Sequence, residues 1–467
     1  MAGGYPLVIP EREERTSMSK ELTRRDFLRR SGTAVAGMGL AAAASVSKTS
    51  PARAGAAASP NGRLAMGFIG LGGRGSYLMR KTLADDLADI VAVSDVATAN
   101  MDDAAKQIEK KQNKEPQKLQ DFRKLLELKE VQAVLIATPD HWHPLQTILA
   151  CQAGKDVYVE KPISRDIAEG LAMIKAVRDN KRICQVGLMQ RSGEDFKNAI
   201  AHVHSGKLGK IAFVRAWFVR KREDMGNPPD GTPPPGVDWD LWLGPAPKVP
   251  FNPARYRMDL GAGPYGSWRW FWDYAGGQLC DWGPHMLDVV RWGLKVGMPI
   301  SAEGNGGKLV FKDCRECPDT LEVVYEYPGV SVLWEHRQWT DRAPEPGRYH
   351  GIEFFGDKGT LFVDRTGWEV FPEAGGEKAG VPGTVGQEKT ADSEHIANFV
   401  ECCKTRKDPI VPIEEGFMTT ATCQLGNISF RSGTKVLWDD AAKTILNNPE
   451  AMKYFGRPYR DPWKLPA

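Results

Sequence analysis

The sequence predicts an α/β protein: an N-terminal doubly wound parallel sheet, then a C-terminal α/β domain built on a large, mainly antiparallel open sheet. Three observations predict it. Residues 65–69 (Ala-Met-Gly-Phe-Ile) are a short apolar run ending in Gly70-Leu71-Gly72-Gly73-Arg74-Gly75. Apolar runs and helical segments then alternate to about residue 187, as a parallel sheet with crossover helices requires. From about 307 to 371 the pattern changes to runs such as Leu321-Glu322-Val323-Val324-Tyr325 and Ile352-Glu353-Phe354-Phe355, which read as antiparallel strands.

Taken in order, the first strand meets a glycine loop and a helix over Ser76–Leu87. Gly70 permits the tight turn, Gly72 lets a pyrophosphate approach the backbone, and Gly75 permits close helix–strand packing. Gly73 and Arg74 complete the loop, and the helix N-terminus offers amide donors to phosphate. A buried strand over 90–94 ends at Asp95, where a carboxylate accepts ribose hydroxyls and repels a 2′-phosphate. This is a Rossmann dinucleotide site for NAD; Arg74 leaves NADP open.

Helices follow over 98–112 and 119–128, then a strand over 133–137 and Thr138-Pro139-Asp140-His141-Trp142-His143. A helix over 144–153 leads to a strand over 156–159 and Glu160-Lys161-Pro162. A helix near 166–180 and a strand over 183–187 close the domain, residues 62–187. Ligands of such sheets bind beyond the carboxyl ends of the strands, which places Thr138, Pro139, His143, Glu160 and Lys161 beside the cofactor.

Residues 188–440 read as the second domain. A helix near 193–205 precedes a strand over 210–219. The Pro/Gly-rich stretch 226–266 is too irregular for regular structure and reads as a long loop over the site. An aromatic segment turns helical over 268–294, late helices cover 391–404 and 413–432, and 441–467 is an irregular tail. No internal repeat is visible.

With Glu160-Lys161-Pro162 after the fourth long strand, and Gly276-Gly277-x3-Asp281-x3-His285-x2-Asp288 downstream, the chain resembles the Gfo/Idh/MocA oxidoreductases, relatives of glucose–fructose oxidoreductase and inositol dehydrogenase. The resemblance covers residues 62–440. It implies a catalytic lysine at Lys161, a catalytic aspartate–histidine pair at Asp281 and His285, a cis peptide before Pro162, and subunit contacts through the open sheet. His143 matches the histidine of the family's T-P-N-x-x-H motif, although Asp140 stands where many members have Asn.

The chemistry agrees with that assignment. Oxidising a sugar hydroxyl removes the O–H proton as hydride leaves carbon. Histidine is the usual base near neutral pH, and a lysine ammonium stabilises the developing alkoxide. Asp281 and His285, four residues apart, project from adjacent turns of one helix, and Pro284 fits its first turn if Asp281 is the N-cap. Each residue also has a plainer role: Asp281 a cap, His285 a core histidine, Lys161 a solvated strand end, Asp288 a support or a cap. The substrate candidates are Asp281, His285, Arg191 and Trp272. Eight of the fourteen tryptophans lie between Trp217 and Trp292, and indole faces suit sugar rings. His141 and His143 lack a third ligand at metal-site spacing, so no metal is expected.

Composition sets the limits. The 467 residues are 42% apolar and 26% charged, an ordinary globular balance. Residues 1–54 carry nine Lys/Arg against five Asp/Glu, or +4, so the other 413 residues of this +3 chain sum to −1. That body lacks the basic excess of a nucleic-acid binder.

Thr23-Arg24-Arg25-Asp26-Phe27-Leu28-Arg29 resembles a twin-arginine export signal. An uncharged run over 31–47 and Ala52-Arg53-Ala54 follow, placing cleavage before Gly55. Residues 55–61 read as a linker. The resemblance implies export of a folded protein by the Tat machinery, a periplasmic destination, and a tightly bound cofactor loaded beforehand. Residues 1–17 are a candidate overextended start, because Met18 also precedes the arginines. Eight scattered cysteines make no disulfide framework, and the lone Cys314-x-x-Cys317 reads as a loop disulfide or two free thiols.

The leading expectation is an exported sugar or glycoside dehydrogenase, assembled as a homodimer or homotetramer. An NAD-dependent glycoside hydrolase ranks second, since its Thr-His-Gly-type segment is missing, and a non-catalytic sugar- or cofactor-binding protein ranks third.

Overall fold

The computed structural model describes residues 62–256 and 266–466. The export segment 1–54, the linker 55–61 and residues 257–265 lie outside the described residues.

Six parallel strands form the first sheet: β1 (Ala65–Ile69), β2 (Asp89–Ser94), β3 (Gln117–Lys118), β4 (Ala133–Ile136), β5 (Asp156–Val159) and β6 (Cys184–Val186), in the order β3-β2-β1-β4-β5-β6. Strands β1, β4 and β5 are buried along their whole length, so both faces must be apolar, and their runs are continuous rather than alternating. The connecting helices are α1 (Gly73–Ala84), α2 (Thr98–Gln112), α3 (Phe122–Glu127), α4 (His143–Gln152) and α5 (Ile167–Asp179). Helix α5 starts with a capping box: Asp166 accepts from the Glu169 amide, and the Glu169 side chain accepts from the Asp166 amide. Helix α1 begins at Gly73, three residues before the sequence expectation, because the glycine loop itself winds into its first turn. The order reverses between β1 and β4, and a crevice opens there.

After α6 (Glu194–His204), strand β7 (Ile211–Val219) enters a second sheet with β8 (Ser301–Gly307), β9 (Thr320–Tyr327), β10 (Val330–Arg337), β11 (His350–Gly356), β12 (Gly359–Val363), β13 (Trp368–Pro372), β14 (Gly380–Val381), β15 (Val436–Asp439) and β16 (Thr444–Ile445). Its order is β14-β13-β12-β11-β7-β10-β9-β8-β15-β16. Only the β7–β10 pair among these is parallel, so the sheet is mixed and mostly antiparallel. The stretch 226–256 is not wholly irregular: α7 (Trp239–Leu243), capped by Asp238, and a turn at Pro253–Tyr256 lie within it. The expected tail likewise contains β16 and a turn at Pro449–Met452.

Helices α8 (Gly277–Leu294) and α10 (Ile413–Ser432) are buried on almost every side. They cover one face of this sheet, while β9 alternates Leu321, Val323, Tyr325 and Tyr327 inward with Glu322, Val324 and Glu326 outward. Helix α9 (Asp392–Thr405) returns to the first sheet, where Ile396, Phe399 and Val400 join Met66, Phe68 and Tyr158 in one apolar cluster.

Candidate active site

The crevice beyond the carboxyl ends of β1, β2, β4 and β5 is a cavity of about 280 Å³. Its far wall comes from the second sheet, the 241–256 loop, residues 266–270 and α8.

The dinucleotide end is shaped by backbone. Gly70 has φ +85°, a region that favours glycine, and a Cβ at Gly75 would overlap the Gly70 carbonyl oxygen. Above Gly72 a Cβ would meet nothing within 4 Å. The N-terminus of α1 has no side-chain cap and no acid in its first turn. Unoccupied amides, open space and a positive dipole end fit a pyrophosphate. Asp95 Oδ2 accepts from the Leu71 amide at 2.6 Å, and Oδ1 from the Ala97 amide at 2.8 Å. The carboxylate that ends β2 therefore also fixes the loop.

Arg74 does not hold the loop open for a 2′-phosphate. Its guanidinium donates to Glu160 Oε1 at 2.8 Å and to Asp392 Oδ1 at 2.7 Å, and the Asp392 side chain is fully buried. Burial alone would raise the Asp392 carboxyl, but the Arg74 charge outweighs it and lowers it. The 2′-phosphate option that Arg74 left open therefore lacks its cation.

At the other end, Lys161 Nζ donates to the Asp281 carbonyl at 2.6 Å and to Asp281 Oδ1 at 3.1 Å. The Lys161–Pro162 peptide is cis. Arg269 Nε donates to the same Oδ1 at 3.0 Å. Burial pushes the Asp281 carboxyl up, yet Lys161 and Arg269 hold it well below the usual carboxylate range.

Asp281 is not a cap. Helix α8 begins at Gly277, so Asp281 sits in its second turn and Pro284 inside the helix. Pro284 lacks the N–H that would close on the Cys280 carbonyl, and the neighbouring Asp281 carbonyl faces the lysine. His285, one turn on, lines the same cleft. Its Nδ1 is buried without a hydrogen-bond partner. Burial, with Lys161, Arg365 and Arg74 nearby, lowers its pKa well below the ordinary value.

Thr138, Pro139 and Asp140 follow β4 along the cleft floor. Thr138 Oγ1 donates to Gln146 Oε1 at 2.7 Å. Burial raises the Asp140 carboxyl well above its usual range against the opposing charges of Arg269 and Lys161, which favours the neutral acid. His143 lies between the carbonyls of Pro162 (2.7 Å from Nδ1) and Thr138 (2.8 Å from Nε2), and burial lowers its pKa to about 4. It joins the two strand-end motifs. His141 Nε2 meets the Trp242 carbonyl at 3.0 Å instead.

Two sequence candidates lie elsewhere. Arg191 is held by both oxygens of Asp288 at 2.8 Å and by Glu415 at 3.0 Å, an ion-pair cluster behind α8 and outside the cleft lining. Trp272 stacks under Arg431, 4.5 Å from its ring centre, and accepts Arg165 on its carbonyl. The tryptophans lining the cleft are Trp142, Trp242, Trp268, Trp270 and Trp282.

Sequence reasoning missed Arg220, Arg222, Arg269 and Arg365, which also line it. It also missed Arg457, which ties the Asp273 and His141 carbonyls from the tail. For Arg269 the flanking Trp268 and Trp270 were the available signal. All eight cysteines are unpaired.

Comparison with known proteins agrees with this geometry. Residues 64–188 match the model "Oxidoreductase family, NAD-binding Rossmann fold", and 216–308 match "Oxidoreductase family, C-terminal alpha/beta domain". The chain is 22% identical to scyllo-inositol 2-dehydrogenase (NAD(+)) of Bacillus subtilis, over 79% of this chain and 95% of that one. A glycosyl hydrolase family 109 protein of Saccharopolyspora erythraea is 29% identical over 45% and 48% of the two chains. The fold is shared with aldose-aldose oxidoreductase of Caulobacter crescentus (TM-score 0.60, 19% identity, 80% of this chain and 99% of that one). It is shared too with a levoglucosan dehydrogenase crystallised with NADH and levoglucosan (TM-score 0.61, 17% identity, 80% and 99%). Both domain models are matched in order, around a dinucleotide crevice lined by Lys161, Asp281 and His285, and over those two segments the chain is similar to the NAD-binding oxidoreductases of the Gfo/Idh/MocA family.

Proposed function

We propose that the protein is an exported NAD-dependent dehydrogenase that interconverts a secondary alcohol and a ketone on a sugar or glycoside. The observation that carries this reading is the Lys161–Asp281 contact, with His285 one turn away on the same cleft wall. The inositol and levoglucosan dehydrogenases it resembles act on polyhydroxylated rings.

NAD, when bound, supplies the two-electron acceptor. The remaining work falls to side chains. Nδ1 of His285 is buried without a partner, and we assign Nε2 as the nitrogen that takes the hydroxyl proton. The lowered pKa keeps the ring neutral and able to accept it. Lys161, fixed by two contacts to Asp281, places positive charge where the alkoxide develops. Asp281 is held ionised by two cations and orients Lys161. Glu160 and Thr138 shape the nicotinamide end, and His143 locks their strand ends together.

The family 109 likeness favours one second reading, glycoside cleavage through transient oxidation. Product analysis with methyl and nitrophenyl glycosides separates the two. Ketone with stoichiometric NADH supports the dehydrogenase; released aglycone without net NADH replaces it by the hydrolase.

A further inference from the structure

The substrate half of the cleft holds more positive charge than its acids neutralise. Lys161 and Arg269 converge on Asp281, and Arg74 is matched by Glu160 and Asp392. That leaves Arg220, Arg222 and Arg365. All three line the cavity. No acid among the described residues lies within 4.0 Å of Arg220 or Arg222, and Arg365 reaches Glu388 only at 4.0 Å.

These guanidiniums are set on one aromatic cluster. Arg222 lies 5.6 Å from the Phe218 ring centre, Arg365 4.5 Å from Trp282 and Arg220 5.0 Å from Tyr349. Phe218 and Trp282 are themselves 4.5 Å apart, and Tyr349 is 5.6 Å from Phe218. These ring contacts hold the guanidiniums at the cleft wall, and Arg365 also donates to Gln190 Oε1 at 3.5 Å. Arg222 is only 9% exposed, yet its Nε has no partner, and Arg365 Nε is likewise buried and unpaired. Burial lowers both pKa values, outweighing the nearest acids, Asp281 for Arg222 and Glu388 for Arg365. A buried guanidinium with an unmade N–H bond is costly unless a ligand completes it.

We propose that the substrate is an acidic sugar, whose anionic group is received by Arg220, Arg222 and Arg365 while its hydroxyl faces Lys161 and His285. The inference rests on the dehydrogenase reading and narrows its substrate class. A guanidinium fork matches a carboxylate with two parallel N–H bonds, so a uronic acid or its glycoside is the chemistry expected. Phosphate and sulfate esters offer the same oxygens. The cofactor pyrophosphate is not the natural occupant, since its expected place is the α1 N-terminus and Arg220 and Arg222 follow β7 on the opposite wall.

The test compares methyl glucoside with methyl glucuronide, which differ only in CH₂OH against carboxylate, with glucose 6-phosphate and glucose 6-sulfate as further arms. Calorimetry on the NADH-loaded protein measures binding, and NAD reduction measures turnover. At least one anionic sugar is expected to bind at least about 10²-fold tighter than the neutral one, because a site built to hydrogen-bond rejects an analogue lacking the group. Arg222→Gln should reduce that preference about 10²-fold while NADH affinity holds. Arg220→Gln, at an exposed side chain, repeats the measurement if the buried variant fails to fold. Equal or better binding of methyl glucoside overturns the inference while leaving the dehydrogenase intact. Loss of NADH affinity in step with sugar affinity also overturns it, by assigning the arginines to the cofactor. Arginine-dependent binding of an anion with no NAD reduction preserves the anion site and refutes the oxidation reading.

Discussion

Lys161 Nζ meets Asp281 twice, at the main-chain carbonyl (2.6 Å) and at the carboxylate (3.1 Å), linking the end of β5 to the second turn of α8. One ammonium thus joins the two domains at the point of chemistry. The carbonyl contact fixes position, and the carboxylate contact balances charge. A substrate oxygen arriving beside Nζ finds a cation already oriented, with no reorganisation left to make.

Lys161→Met keeps the length of the side chain and removes its charge. Turnover should fall about 10²–10³-fold. Cofactor binding should persist, because the glycine loop and Asp95 do not touch Nζ. Stopped-flow turnover alongside NADH fluorescence titration checks both halves.

His285 gives the pH signature. Burial and the charges of Lys161, Arg365 and Arg74 disfavour its protonated form, so the acid limb of kcat/KM should lie below pH 6.5, the ordinary histidine value. Removing a neighbouring cation favours the imidazolium, so the limb should move to higher pH in Lys161→Met. His285→Ala should lose about 10²–10⁴-fold, with the loss shrinking at high pH as hydroxide substitutes. A near-wild-type profile for that variant would transfer the base role to Asp281 or water.

Asp140 tests whether charge or hydrogen bonding matters after β4. Burial raises its pKa, which favours the neutral acid, a form that an amide mimics in shape. Asp140→Asn should therefore retain activity within about threefold, whereas Asp140→Ala should lose more. Steady-state kinetics at pH 7 on the two variants decides; a large loss in the Asn variant would show that ionisation is used.

The parallel sheet was legible because β1, β4 and β5 are buried along their whole length; α2 begins and ends at the expected residues, 98 and 112, whereas the exposed edge strand β3 carries no apolar run. The candidate site was legible at the strand ends, where Lys161 and Asp95 line the cleft as expected. What failed was long-range pairing. Arg191, placed just after the first domain, read as a substrate group, but Asp288 on α8 captures it. Arg74 left a 2′-phosphate contact open, but Asp392 reaches it from 318 positions along the chain. Such partners are chosen by tertiary packing, and no local period encodes them. The same holds for Pro284, which reads as a first-turn residue until the register of α8 is known.

Assembly should occur through the open face of the ten-stranded sheet. Val324 and Phe371 are each 46% exposed there, and the Phe213 and Phe355 rings lie 5.4 Å apart, tilted by 39°. Apolar side chains on an uncovered sheet face mark an association surface. Light scattering should find a homodimer or homotetramer at micromolar concentration. Val324→Arg should shift it toward monomer without changing NADH affinity; a wild-type monomer would refute the assignment.

The last prediction joins export to chemistry. An exported dehydrogenase with a freely exchanging coenzyme would stand idle where free dinucleotide is scarce, so the cofactor should travel with the folded protein. The fold provides cover for it. Val237 pairs with Ala97, and the Asp238 amide donates to the Val96 carbonyl at 3.0 Å, so the 231–256 loop closes over the residues that follow Asp95. From the tail, Trp463 packs edge-on to Trp142 at 4.9 Å and Arg460 Nη1 donates to Asp240 at 2.8 Å, clamping that loop in turn. We expect NAD(H) to survive desalting, with Kd at or below about 1 μM, equivalent to roughly −8 kcal/mol. Truncation before Tyr459 should release the clamp and raise Kd at least about tenfold, a loss of roughly 1.4 kcal/mol. Mass spectrometry of the denatured, dialysed protein measures the stoichiometry. A value near zero, with activity wholly dependent on millimolar added NAD, would defeat retention.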